Sequence, residues 1–335
     1  MFSNGGELMG ELLNRRRRET AQRVDELRKL LADAEKRCGE SACVYMTGSF
    51  GRGEASAHSD LDLFVVGQCK REVPALSKLD QIIVKADLIQ ASRRLKFPEF
   101  TGDGRYLVGY TIAELVDTLG TQKDDIENTF TARLLLLLES SALIGQAAYH
   151  QITDGVIAAY WEDYVAHKDD FTPAFLANDI LRMWRTFCVN YEAGTKREPE
   201  KEMAKRRIKN YKLKHSRLLT CYSALLYLLA VFAKNKTVSP TDAEHMISLS
   251  PTARLEWLLT LPDVEVAHSS LKSLIEKYEE FLSNTDVPSD DLISRFMDKQ
   301  NRKKYRESAN EFGDLVFEVL GMIGNNSSFH RVLVV

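Results

Sequence analysis

Residues 42–66 read ACVYMTGSFGRGEASAHSDLDLFVV and combine two β-prone runs with a connection rich in glycine and serine. The first run is Ala42–Thr47, followed by Gly48, and the second is Leu61–Val66, followed by Gly67. Apolar, β-branched and aromatic residues bounded by turn residues are typical of strands. The stretch therefore predicts a strand, a turn and a second strand, with its polar residues gathered in the turn.

Two acidic residues, Asp60 and Asp62, stand where the second run begins. Because side chains alternate faces along a strand, both would project to one side, about 6.5–7 Å apart along the chain. Two carboxylates held so close repel each other unless a cation lies between them. Oxygen ligands of this kind suit Mg²⁺, which keeps waters and is completed by substrate phosphates. The spacing therefore predicts a magnesium or manganese site.

The connection between the two runs has the composition of a phosphate-binding loop. Its glycines let backbone N–H groups, together with the Ser49 hydroxyl, approach a phosphate chain closely. A helix beginning at Phe50 would add a favourable dipole. Phosphate-binding loop and metal carboxylates together predict phosphoryl or nucleotidyl transfer by metal-assisted in-line displacement. The plainer alternative is a strand–turn–strand unit with a solvated acidic edge.

Gly48-Ser49 followed by Asp60-x-Asp62 resembles the signature of the DNA polymerase β-like nucleotidyltransferase superfamily. The Gly-Arg-Gly-Glu and Ser-Asp-Leu-Asp segments around them are most similar to the protein-PII uridylyltransferase type of domain. The resemblance covers about residues 45–110. It implies an enzyme that moves a nucleoside monophosphate from an NTP or dNTP to an acceptor hydroxyl and releases pyrophosphate.

The resemblance also implies roles for individual residues. Metal ions would be held by Asp60, Asp62 and a third carboxylate, which would help to activate the acceptor hydroxyl. Asp103, in a Gly-Asp-Gly turn, is the favoured third carboxylate, with Glu99 and Asp87 as alternatives. An Asp in such a turn can also be a plain turn residue.

The phosphate chain has its own set of candidates. Gly48 and Ser49 would hold the β- and γ-phosphates of the nucleotide. Arg52 could bind phosphate too, or it could form a surface ion pair with Glu54.

A basic segment in the second half of the chain supplies further candidates. Residues 196–217 hold ten Lys or Arg and three Asp or Glu, although the whole chain of 335 residues has a net charge of only −3. Such a run is usually a solvated helix face. By similarity to polymerase β-like enzymes, Lys212, Lys214 and Ser216 are candidates for binding the triphosphate. A further alternative is a groove for an oligonucleotide product or primer, with Tyr211 stacking on a base.

The pattern along the chain predicts an α+β fold, with a polymerase β-like head followed by an all-helical body. Helices are predicted over residues 7–37 and 75–95, and a hairpin over 97–111. Everything after residue 112 shows helical periodicity. We therefore expect a nucleotidyltransferase domain at residues 1–120 and a helical domain at 121–335.

Composition limits the setting in which the protein works. The five cysteines form no CxxC pair, so neither a zinc site nor a disulfide framework is indicated. The N-terminus lacks the apolar core of a signal peptide, and the longest apolar stretch, 221–233, is shorter than the roughly 20 residues of a membrane span. A cytoplasmic protein without a membrane span is expected; the oligomeric state is left open.

The acceptor is the least constrained part of the prediction. A head followed by a helical body looks like the nucleotidyltransferases of bacterial antiphage operons, and the Hailong-type systems are the suspected match. That resemblance implies nucleotide oligomers, a protein primer and an effector protein from the same operon, with Ser327 or Ser328 as a candidate acceptor. The alternatives are a uridylyl- or adenylyltransferase that modifies proteins, and a nucleotide-sensing pseudoenzyme that binds a partner.

Overall fold

The computed structural model describes residues 10–68, 76–100, 107, 109–193, 199–325 and 327–334. Its strands form one mixed sheet in the order β3-β2-β1-β4. β1 runs antiparallel to β2 and β4, whereas β3 runs parallel to β2. The four strands are β1 (Ala42–Thr47), β2 (Asp62–Gly67), β3 (Gly109–Thr111) and β4 (Ser141–Ile144).

The described helices fall into two groups along the chain. Those interleaved with the strands or close behind them are α1 (Glu11–Leu30), α2 (Ala32–Cys38), α3 (Gly48–Gly51), α4 (Lys78–Arg94), α5 (Ile112–Asp117), α6 (Lys123–Ile126), α7 (Thr129–Glu139) and α8 (Gln146–Tyr160). Those that build the body are α9 (Ala174–Ala193), α10 (Glu200–Lys212), α11 (Leu218–Asn235), α12 (Pro240–Ser248), α13 (Pro251–Leu258), α14 (His268–Thr285), α15 (Ser289–Met297), α16 (Lys299–Gly324) and α17 (Ser328–Val332). The predicted α+β class, a strand-bearing head followed by a helical body, is confirmed.

The central strand, β1, is buried along its whole length because both faces of the sheet are covered. Val44 and Met46 point into a smaller core that includes Leu27 of α1. Tyr45 points to the opposite face and stacks on Phe64 at a centroid distance of 5.2 Å, within the core that extends into the helical body. The alternation of side chains along one strand therefore joins the head to the body.

The longest apolar stretch of the chain is a core helix. Residues Leu218–Phe232 of α11 are buried except for Tyr222, so this helix is surrounded by protein on nearly all sides. The continuous helical run Glu200–Asn235 is long and apolar enough to cross a membrane, with a mean hydropathy of 1.6 in its most apolar window. Because 83% of that window is buried inside the protein, the run is explained by core packing.

The prediction that everything after residue 112 is helical is wrong at β4. Ser140 takes an extended backbone with φ −101° and ψ 160°, and Ser141–Ile144 then pairs with β1. A short apolar run at a helix end looks the same in sequence whether it continues the helix or forms a strand. The sheet of the head thus includes a strand that follows residue 120 in the chain. The predicted division into domains at residue 120 stays a prediction.

The predicted hairpin over residues 97–111 is also wrong where the structure describes it. Residues 97–100 form no strand, and β3 pairs with β2 in parallel. The predicted turn, which contains Asp103, lies outside the described residues.

Candidate active site

The turn after β1 is built around a glycine that no other residue could replace without strain. Gly48 has φ +64°, which L side chains rarely adopt, and a Cβ at this position would lie 2.7 Å from Asp62 Oδ2. Its backbone N–H donates to Glu139 Oε1 at 3.1 Å. Ser49 follows in the single helical turn α3, where its hydroxyl forms no hydrogen bond with any described residue. The backbone is thereby held against the carboxylates, and the Ser49 hydroxyl is free to bind a ligand.

The two predicted metal carboxylates stand at the start of β2. Asp62 is its first residue and lies opposite Thr47 in the ladder with β1, while Asp60 is exposed and precedes the strand. Burial, and next the charge of Asp60, raises the pKa of Asp62 to about 6, although Arg217 opposes the shift. A cation between the two carboxylates would relieve this repulsion, and their oxygens are the donors that Mg²⁺ and Mn²⁺ prefer. The residues present therefore fit a divalent metal.

A cleft of about 730 Å³ lies over these residues. One wall is the head, with Gly48, Ser49, Asp60 and Asp62, and the other comes from α10, α14 and α15 of the body. The cleft-lining cations of α10 are Lys205, Lys209 and Lys212. The structure thus brings the two acidic residues of the head and the basic segment of the body to one cavity.

The candidates in the basic segment separate in the structure. Lys212 and Ser216 line the cleft, whereas Lys214 does not, and its Nζ donates to Asn310 Oδ1 at 3.1 Å. Lys205 pairs with Glu202 at 2.6 Å, but Lys209 forms no ion pair within the described part of the chain. Lys209 and Lys212 are consequently the cations of α10 best placed for a phosphate chain.

The predicted phosphate ligand Arg52 is buried and already paired. Its Nε donates to Glu54 Oε2 at 2.8 Å and its Nη1 to Glu139 Oε2 at 2.8 Å. Tyr278 of α14 also donates to Glu54, at 2.8 Å. Of the two interpretations drawn from the sequence, this geometry favours an ion pair, but a buried one that connects the glycine turn to the body.

Glu139, at the end of α7, is a residue of this site that sequence reasoning missed. Its side chain is fully buried and accepts hydrogen bonds from Gly48 N–H, Arg52, Arg217 and Thr220. Burial alone would raise the pKa of Glu139, but the charges of Arg217 and Arg52 lower it to about 2. One ionised carboxylate thus connects the glycine turn, the head arginine and the body. The only signal in the sequence was an acid directly after Leu134–Leu138.

Two cleft-lining arginines were also missed. Arg16 of α1 is buried, and it forms an ion pair with Asp286 at 2.7 Å. Arg217 lies in the π-helical segment Leu213–Arg217, between α10 and α11, and its side chain is 30% exposed. π-helical turns are frequent at functional sites because they change which side chains face a cavity. Arg217 is therefore held by Glu139 and still open to the cleft.

The third carboxylate is the least defined part of the site. Asp103 lies outside the described residues. Glu99 lines the cleft but is exposed and paired with Arg93 at 3.0 Å, and Asp87 on α4 is not among the residues lining the cleft. Within the described ranges, no group of three or more His, Cys, Asp or Glu residues is arranged to hold a metal. Asp60 and Asp62 are thus the described part of the metal site.

Comparison with protein families agrees with this geometry. Residues 24–107 match the nucleotidyltransferase domain family. This segment, about a quarter of the chain, contains β1, the glycine turn and β2, and its match supports the polymerase β-like superfamily and nucleotidyl transfer as the general activity. A search of curated proteins finds none that matches the chain.

Proposed function

We propose that the protein is a metal-dependent nucleotidyltransferase that moves a nucleoside monophosphate from an NTP or dNTP to an acceptor hydroxyl. The observation that carries the proposal is that Asp60 and Asp62 line the same cleft as Lys209 and Lys212. Carboxylates without nearby cations would repel a triphosphate, and cations without carboxylates would bind it without placing a metal. Both are needed for phosphoryl-group chemistry.

The charged residues in and behind the cleft, together with Ser49, have distinct roles in this reaction. Asp60 and Asp62 would hold Mg²⁺ or Mn²⁺, which when bound would lower the pKa of the acceptor hydroxyl and offset charge on the phosphates. Lys209, Lys212 and the Ser49 hydroxyl would bind the β- and γ-phosphates. Glu139 would fix the Gly48 backbone and Arg217 without touching the reacting atoms.

The covalent change is a single displacement at the α-phosphorus. The acceptor oxygen forms a bond to this phosphorus while the bond to the bridging oxygen of the β-phosphate breaks, and pyrophosphate leaves. The acceptor proton would pass to the predicted third carboxylate, Asp103. Positioning and charge stabilisation are the contributions the protein makes to such a transfer.

For the acceptor, we propose synthesis of nucleotide oligomers in bacterial antiphage defence, with a protein primer and in the cytoplasm. This rests on the resemblance of the head-and-body organisation to the nucleotidyltransferases of antiphage operons. Ser327 is a poor primer in this arrangement, because its hydroxyl caps α17 by accepting a hydrogen bond from His330 N–H at 3.1 Å. Phe329, two residues later, is fully buried and anchors this segment to the rest of the protein.

Labelling with each α-³²P-labelled NTP and dNTP in Mg²⁺, followed by a denaturing gel, tests the proposal. We expect a labelled product from at least one nucleotide, and its loss in Asp60→Asn/Asp62→Asn. Asp33→Asn, an exposed head carboxylate on α2 outside the cleft, is the matched control and should keep wild-type labelling.

The position of the label separates the acceptors. Label that migrates with the protein indicates priming or protein modification, and a small soluble product indicates a free oligomer. No label from any of the eight nucleotides would refute transfer and favour a nucleotide-sensing protein.

A further inference from the structure

The helical body contains a second cavity, of about 530 Å³, which the proposed reaction does not use. It lies between α10 and α16, with further lining from α9 and α15. None of the residues that line it is acidic. Its basic residues are Arg207, Lys214, Lys299, Arg302, Lys303 and Arg306.

Most of these cations lack an ion-pair partner among the described residues. Lys303 pairs with Glu307 at 3.7 Å, whereas Arg207, Lys299, Arg302 and Arg306 form no ion pair within the part of the chain that the structure describes. Six positive charges around one cavity of about 530 Å³ repel one another. Their convergence needs an anion to offset it.

Arg207 gives an independent indication that a ligand is missing. Its Nη1 is buried and has no hydrogen-bond partner among the described residues. A buried guanidinium donor without an acceptor is costly, and charge-assisted hydrogen bonds to phosphate oxygens are the interactions that arginine forms best. An anionic oxygen in the cavity would satisfy it.

The floor of the cavity is aromatic but closed. Tyr211 is 3% exposed and packs against Phe296 and Tyr305 at centroid distances of 5.6 and 5.1 Å. These rings cannot stack on a base, so the predicted stacking role of Tyr211 is wrong. The groups that the cavity offers to a ligand are therefore mainly those that recognise phosphates.

Helix α10 and the π-helical segment after it separate the two cavities. Lys205, Lys209 and Lys212 share one face of α10 and line the cleft, whereas Arg207 of α10 and Lys214 of the π-helical segment line the second cavity. The second cavity also lacks any carboxylate that could hold a metal. A ligand there would be bound by protein cations alone.

We propose that the second cavity binds the phosphate chain of a nucleotide-sized ligand, a nucleoside triphosphate or an inorganic polyphosphate, without a divalent metal. Its volume is in the range of small-molecule sites, about 300–1,000 Å³, and its six cations match a chain of two or more phosphates. This inference does not depend on the proposed catalytic activity.

Calorimetric titration with inorganic triphosphate in EDTA tests the inference. Arg306→Glu should weaken binding at least about tenfold, because an exposed cation of the cavity becomes an anion. Lys304→Glu is the matched control: it makes the same charge change on α16 two residues away, at an exposed position outside the cavity, and should weaken binding no more than about threefold. Arg302→Ala provides a second variant, and thermal unfolding verifies that each variant is folded.

Several results would overturn the inference. These are no binding by the wild type, equal weakening by Lys304→Glu and Arg306→Glu, or loss of binding in Lys209→Ala/Lys212→Ala, which would place the anion in the cleft. A single-stranded oligonucleotide that binds far more tightly through the same arginines would also contradict a nucleotide-sized ligand. Equal affinities for ATP and inorganic triphosphate would support recognition of the phosphate chain alone, and tighter binding of ATP would support a nucleotide.

Discussion

The cleft and the second cavity are both lined by lysine and arginine, but of the two only the cleft is also lined by carboxylates. In the cleft, Asp60 and Asp62 line the same space as Lys209 and Lys212, and the buried Glu139 holds the Gly48 turn. In the second cavity the cations face one another without an acid. The first arrangement suits a metal–phosphate complex in which bonds change, and the second suits phosphate that is only bound.

The same contrast explains the nearly neutral net charge of −3. Six of the ten cations of residues 196–217 line the two cavities, four in the cleft and two in the second cavity, while most of the acids that balance the charge are elsewhere in the chain. Position along a helix therefore decides whether a lysine of this segment lies near the carboxylates or away from them.

The largest expected effect is that of Glu139→Gln. Removing this buried charge leaves Arg52 and Arg217 without a shared partner, so we expect a loss of about 3 kcal/mol in the free energy of unfolding. Nucleotidyl transfer should fall by at least about a hundredfold, because the Gly48 turn is no longer fixed. Rates per folded protein and urea denaturation measure the two effects.

Asp124→Asn is the matched control for Glu139→Gln. Asp124 is a fully buried partner of Arg133, at 2.7 Å, in a similar network that does not line the cleft. It should destabilise the fold without lowering transfer per folded molecule. Triphosphate binding in EDTA should stay within about twofold in both variants, and equal losses of transfer would show that Glu139 is merely structural.

Gly48→Ala should separate backbone strain from damage to the site. The left-handed conformation costs an alanine about 1–2 kcal/mol. The new Cβ would also lie only 2.7 Å from Asp62 Oδ2, so the Asp62 carboxylate would have to move. Transfer should drop about a hundredfold. Gly53→Ala imposes the same strain at φ +73°, but its Cβ would meet only Arg17 Cγ at 3.8 Å. If the two variants lose the same amount of transfer, the contact with Asp62 is not the cause.

Lys209→Ala/Lys212→Ala should raise KM for the nucleotide about tenfold or more, since two charge-assisted contacts to phosphate are lost. Steady-state kinetics in saturating Mg²⁺ measure this, with Lys304→Ala as a control outside both cavities. An unchanged KM would remove these lysines from the nucleotide site.

The last prediction concerns the pH dependence of stability and does not involve either cavity. His215 is fully buried against Phe281, and burial lowers its pKa from 6.5 to about 4, although a hydrogen bond with the Tyr211 carbonyl opposes the shift. Below pH 6.5 the unfolded chain binds a proton that the folded chain does not, so stability falls as the pH drops towards 4.

We expect a loss of about 2 kcal/mol between pH 7 and pH 5 from this residue. His215→Phe should remove that part of the pH dependence in urea denaturation, and the exposed His167→Gln should not. A wild-type slope retained in His215→Phe would contradict the account.

The sequence was sufficient for the parts of the site that are local in the chain. The strands around Gly48 and Asp62 could be predicted, because a strand's alternation and a glycine turn are visible within 25 residues. The role of Glu139 could not be predicted, because Glu139 reaches the turn only through the tertiary packing of α7. A single sequence contains no signal of that contact.

Faces of helices were harder to predict than the helices themselves. The apolar spacing predicted α4, and the helix is present, but Leu79 and Ile82 are 72% and 63% exposed while Val84 and Leu88 are buried. In the basic segment, the π-helical turn after Lys212 breaks the regular period. Regular spacing separates Lys212 from Lys214, as observed, but it would place Arg217 on the face of Lys214, three residues before it. Periodicity alone therefore could not tell that Arg217 lines the cleft with Lys212.

The central claim is that nucleotidyl transfer requires the paired carboxylates Asp60 and Asp62. Pyrophosphate release in Mg²⁺, measured with each of the eight nucleotides for the wild type, Asp62→Asn and Lys304→Glu, is the decisive measurement. We predict release from at least one nucleotide by the wild type and Lys304→Glu, and none above background by Asp62→Asn. Wild-type release by Asp62→Asn, or no release by any of the three, would contradict the account.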